Sequence, residues 1–108
     1  MIPPRLQRYF PLLRAVASIK DKRAQQLVLK HLKKHRPFVV LLRELAENTI
    51  QQNIRLTKKD KKKLNRHAEV IKSLVKKKKV EQSGGFLGVI VPLLAAEIAG
   101  LVARHVSG

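Results

Sequence analysis

Residues 76–103 read KKKKVEQSGGFLGVIVPLLAAEIAGLVA: a lysine cluster, two adjacent glycines, then an almost uncharged apolar segment. Lysine heads stay in water, whereas a run such as 86–103 leaves water for lipid or for a protein core. The Gly84-Gly85 step breaks any continuous helix between the two. The junction predicts a basic helical domain over residues 1–79, a glycine-containing linker over 80–85, and an apolar membrane- or capsid-interacting tail over 86–108. One apolar segment also suffices to complete a small core, and a terminal core helix is the alternative.

As a helix, the 18 residues 86–103 span about 27 Å, slightly less than a hydrocarbon core. Pro92 interrupts the segment, and Glu97 would cost about 2.5–3.5 kcal/mol at mid-bilayer. A single stable span is therefore a poor fit. The residues expected to face lipid or a partner are Phe86, Leu87, Val89, Ile90, Val91, Leu93, Leu94, Ile98 and Leu101. Gly88, Pro92, Ala96 and Gly100 recur every four residues and predict a stripe for close helix contact.

Upstream, no segment alternates with period two, and helical signals recur. Residues 5–18 form a short helix interrupted near Pro11. A second helix runs from Ile19 or Lys20 to His35, with Ser18 and Asp21 as start signals and Ala24, Leu27, Val28 and Leu32 on its apolar face. Pro37 suits the first turn of a third helix reaching Gln52, with Phe38, Leu41, Leu42, Leu45, Thr49 and Ile50 as its stripe. After a connector, Thr57 caps a fourth helix from Lys58 to Lys77, which turns Leu64, Ala68, Ile71, Leu74 and Val75 to one side. The expected fold is all-α: a small basic bundle of three or four helices, a glycine break and an apolar helical tail.

Charge is unevenly spread over the 108 residues, whose formal net charge is +17. Residues 1–57 carry net +9, residues 58–79 another +9, and residues 80–108 net −1. Such a body repels itself until a polyanion or acidic surface neutralises it. The candidate phosphate contacts are Lys58, Lys59, Lys61, Lys62, Lys63, Arg66, Lys72, Lys76, Lys77, Lys78 and Lys79, joined by Lys30, Lys33, Lys34 and Arg36 of the second helix and its end. Lysine is a mobile point charge suited to phosphate, whereas arginine's fork suits guanine edges. The aromatics Tyr9, Phe10, Phe38 and Phe86 are too few for a base-stacking platform. The composition points to double-stranded DNA bound with little sequence preference. A helix-turn-helix reader is the sharper alternative, but the third helix is mainly apolar and offers no row of Arg, Asn or Gln.

Other chemistry is sparse. His31 and His35 stand one turn apart with no HExxH pattern and no nearby third ligand, so they read as surface histidines and no metal is expected. There is no cysteine, no phosphate-loop glycine motif and no nucleophile elbow. Glu44 and Glu47 suit pairing with Arg43 or neighbouring lysines better than acid–base work. No enzymatic activity and no cofactor are expected.

Residues 84–100, GGFLGVIVPLLAAEIAG after a basic region, resemble the C-terminal half of the basic core peptide X (mu) precursor of adenoviruses. There a DNA-condensing segment leads through a two-glycine site into an apolar tail. Residues 53–86, from NIRLTKK through the lysine-rich helix to QSGGF, are similar to small basic proteins of adintoviruses and Maverick/Polinton elements. The resemblance implies a minor virion core protein that packs with or condenses the double-stranded genome, inside the virion and in the host nucleus during assembly. It also implies a viral cysteine protease as partner, cutting after Gly85 within Gly84-Gly85-Phe86. Gln82 stands where that protease family prefers Met, Ile or Leu. The folded-looking N-terminal body is a second departure, since the adenoviral peptide is arginine-rich and largely without a core. Two rival expectations accompany this one: a membrane-active entry protein whose lysines bind anionic lipid, and a structural protein whose bases meet RNA or acidic capsid surfaces.

Overall fold

The computed structural model describes residues 3–107, and the side chains of residues 3–100. Among the described residues there are seven α-helices, one 3₁₀ turn and no strand. The all-α expectation is met. Pro4 starts α1 (Pro4–Arg8), where a missing N–H costs nothing. Tyr9 leaves helical geometry, and α2 (Phe10–Ala17) restarts with Pro11 in its first turn.

Helix α3 (Lys22–Leu32) begins later than expected. The Asp21 carboxylate accepts from the backbone N–H of Arg23 at 2.9 Å, which makes it the cap. Ser18 instead turns back and donates to the Arg14 carbonyl at 2.7 Å. The face of α3 also differs. Leu29 is buried and Leu32 half-buried, while Leu27 is 63% and Val28 37% exposed. The expected Leu27–Val28 stripe is therefore largely in solvent, because α3 turns Gln25, Leu29 and Lys33 towards the segment 80–85.

Helix α4 (Arg36–Ile50) is the central strut, burying Phe38, Leu41, Leu42, Leu45, Ala46, Asn48 and Thr49. Only Ile50 of its expected stripe is exposed. It ends in a Schellman turn. Gln52 adopts φ 58° and donates to the Thr49 carbonyl, and Asn53 donates to the Asn48 carbonyl at 2.9 Å.

The expected fourth helix is two helices, α5 (Lys58–Asn65) and α6 (Ala68–Val75), with a corner at Arg66–His67. Packing explains the corner. α5 lies against the C-terminal helix and α6 lies along α4, and one straight rod cannot serve both. Lysines one turn apart on α5 also repel, which weakens propagation. The start of α5 is well fixed. Thr57 Oγ1 accepts from the Asp60 N–H at 3.2 Å, and the Asp60 carboxylate accepts from the Thr57 N–H at 2.9 Å, a reciprocal capping box. Thr57→Ala is expected to lower stability by about 1 kcal/mol; a denaturation midpoint unchanged from the parent would refute the capping role.

After α6 come the 3₁₀ turn Val80–Gln82 and α7 (Gly84–Ser107). Here the structure corrects the expected domain plan. Phe86, Leu87, Ile90 and Leu94 are fully buried in the same cluster as Leu6, Leu13, Leu29, Leu42, Leu45, Ile54 and Leu74. Val91 is buried too, and Val89, Leu93 and Ile98 pack against that cluster. Leu101 lies outside the residues whose side chains are described. The segment 86–100 is thus a core helix of the body, packed on α2, α3 and α5, not a separate tail. The reason is area: without this helix a bundle of such short elements cannot cover its own apolar faces. Glu97 is accounted for as well, since its carboxylate accepts from the Arg55 backbone N–H and ties α7 to the α4–α5 connector.

The segment 80–85 is not a solvated linker either. Val80 and Ser83 are buried, and Ser83 Oγ donates to the Val80 carbonyl at 2.6 Å. Gly84 and Gly85 open α7 where neighbours come close. A Cβ on Gly85 would sit 2.6 Å from His67 Cε1, and one on Gly84 would collide with the Gln25 amide. The small-residue stripe has no such role, because a Cβ at Gly88 or Gly100 would meet nothing within 4 Å.

Candidate nucleic-acid interface

The short helix α5 spends one residue, Leu64, on the core and shows nearly everything else to water. Lys58, Lys59, Lys61, Lys62, Lys63 and Arg66 are all exposed. The capping box that starts α5 also anchors this array. Its Asp60 carboxyl is held below the usual carboxylate range by the hydrogen bonds from Thr57, with Lys63 assisting.

A second basic group lies at another corner. α6 runs antiparallel to α4: its N-terminal residues Ala68 and Ile71 share a groove with Thr49 and Ile50 at the far end of α4. The chain after α6 therefore runs back toward α3, against which the 3₁₀ turn Val80–Gln82 packs. Lys76, Lys77 and Lys78, just past α6, are exposed, as are Lys30, Lys34 and Arg36 at the end of α3 and the start of α4. The two segments are joined through Glu81 of the 3₁₀ turn, whose carboxylate lies 3.5 Å from Lys33 Nζ at the end of α3. Its own backbone N–H, then Lys33 and Lys30, hold that carboxyl below its ordinary value.

The turn that carries the lysines has a cost. Lys77 donates to the Leu74 carbonyl and Lys78 to the Ser73 carbonyl at 2.8 Å, a second Schellman turn. Lys77 adopts φ 62° and Lys79 φ 58°, left-handed conformations that cost a side-chain-bearing residue about 1–2 kcal/mol relative to right-handed ones. Glycine would relieve that strain. One cation suffices to complement the negative end of α6; three consecutive exposed ones exceed it.

The fifteen expected phosphate contacts thus divide by position. Lys58 to Arg66 form the α5 array; Lys30, Lys34, Arg36 and Lys76 to Lys78 form the corner array; Lys72 is exposed on α6 between them. Lys33 and Lys79 are drawn into ion pairs, the latter 2.7 Å from Glu69. The Glu69 carboxyl is lowered by that hydrogen bond and by the charge of Lys79. Glu69 and Glu81 matter here and did not stand out in sequence. The only signal was an isolated acid within or beside a lysine run, which does not say which lysine it engages.

The remaining groups fall in place around this. α4 is too buried to enter a groove of DNA, so the helix-turn-helix alternative is set aside. Glu47 pairs with Arg43 at 3.5 Å as expected, whereas Glu44 pairs with Arg5 at 3.2 Å and links α1 to α4. The His31 and His35 rings stand 5.6 Å apart, and no cluster of three or more metal-ligating side chains occurs among the described residues. Among the described residues no helix is long and apolar enough to cross a membrane. The Gly85–Phe86 bond lies in the first turn of α7 with Phe86 fully buried, so a protease needing an extended substrate reaches it only after local opening.

No protein-family model matches the chain, no curated protein matches its sequence, and no solved structure matches its fold.

Proposed function

We propose that the protein is a non-enzymatic viral minor core protein that binds and condenses double-stranded DNA through phosphate contacts, without reading sequence. One observation carries this reading: a chain whose lysines and arginines give it net charge +17 folds so that most of its lysines are exposed and helix-anchored, and its few acids do not neutralise them. Phosphates release condensed counterions when lysines replace them, and that release drives association without base contacts. The sparse aromatics and the burial of α4 argue against stacking and groove reading. The setting that goes with this reading is a virion interior, with assembly in a host nucleus.

Contact of α7 with lipid or capsid is not part of the reading for the folded chain, since its apolar side chains serve the core. The test is competition between unrelated duplexes of equal length at one salt concentration. Affinities within about threefold of one another are expected, against the 10³-fold or greater preference typical of specific readers. A strong preference for one sequence, or for structured RNA over duplex DNA, would overturn the proposal.

A further inference from the structure

Resting on that reading, we infer that one chain carries two separate duplex-binding sites and bridges two DNA segments as a monomer. The sequence places Lys58 to Lys79 in one continuous run, which suggests one footprint. The fold separates the run. The α5 array lies where the C-terminal end of α4 and the connector meet α7, because Gln52, Asn53, Thr57 and Asp60 line a cleft with Leu93 and Glu97. The corner array lies around the Lys33–Glu81 bridge, which joins the end of α3, just before α4 begins, to the segment that follows α6. Between those ends stands α4, 15 residues and so about 22 Å long. The chain's longest extent is 42 Å.

The stretch between the arrays keeps one exposed lysine, Lys72. Glu69 on α6 takes up Lys79, and His67 at the α5–α6 corner is turned over Gly85. The corner array is also assembled from two distant parts of the chain, α3 and the end of α6, around Glu81. It therefore exists only in the folded protein. Two positive ends on one rigid body neutralise phosphates of two duplexes at once, and that draws duplexes together without contact between protein copies.

The experiment uses full-length protein, a short duplex for stoichiometry, and capture of a fluorescent duplex by a second duplex fixed on beads. One variant carries Lys58→Gln, Lys59→Gln, Lys61→Gln, Lys62→Gln and Lys63→Gln; the other carries Lys30→Gln, Lys34→Gln, Lys76→Gln, Lys77→Gln and Lys78→Gln. All ten positions are exposed, so both variants keep the parent's circular dichroism and melting transition. The parent is expected to bind two short duplexes per chain and each variant one. Capture should fall at least tenfold in each variant and should not recover when the two are mixed. Capture retained by either variant, or restored in the mixture through pairing of bound copies, would overturn the inference. So would a parent that binds one duplex per chain. A parent that binds no duplex would reject the proposed function itself.

Discussion

A chain ending at Gly85 is expected to lose its cooperative thermal transition and most of its tertiary structure. It would forfeit Phe86, Leu87, Ile90, Val91 and Leu94 from the core. At about 1.5–3 kcal/mol for each buried side chain, the loss is roughly 8–15 kcal/mol. That is the size of the whole stability of a small domain, about 5–15 kcal/mol. A milder version, Phe86→Ala in the full chain, is expected to cost about 3–5 kcal/mol. A truncated chain that melts cooperatively within a few degrees of the parent would show that α7 is dispensable. The same truncation is a poor way to locate DNA binding. Its lysines remain after unfolding, and an unfolded polycation still gathers on DNA. Binding retained without α7 would report charge, not an interface.

The second large effect concerns salt. The α5 array alone offers six exposed bases, Lys58, Lys59, Lys61, Lys62, Lys63 and Arg66. If each engages one phosphate, the logarithm of affinity should fall against that of salt with a slope of about −5. Between 50 and 200 mM salt, duplex affinity should then drop about 10³-fold. Anisotropy titrations at four or five salt concentrations measure the slope directly. A flat response would mean that the lysines are a solvated surface and that any binding has another origin.

How much of this was legible beforehand differs by element. Local chemistry was readable: Thr57 and Asp60 formed the cap they suggested, Pro37 sits in the first turn of α4, and Leu64, Ile71 and Leu74 face the core. The face of α3 was not, because Leu27, Val28 and Leu29 are equally apolar and only the packing of 80–85 chooses Leu29. The corner at Arg66–His67 was invisible for a similar reason. Nothing in KKKLNRHAEV states that its two halves have different partners.

The sequence by itself determined the helical class, most helix starts, the charge, and the absence of cysteine and of catalytic motifs. Those follow from side-chain chemistry within a few residues. Tertiary structure alone decided the fate of residues 86–100 and the grouping of the lysines. An apolar helix has equal reason to enter lipid, a partner or its own body, and the choice depends on whether the other helices leave a matching face uncovered. Likewise, charges adjacent in sequence become one site or two according to where the chain turns, and α6 turns back along α4 to set them apart.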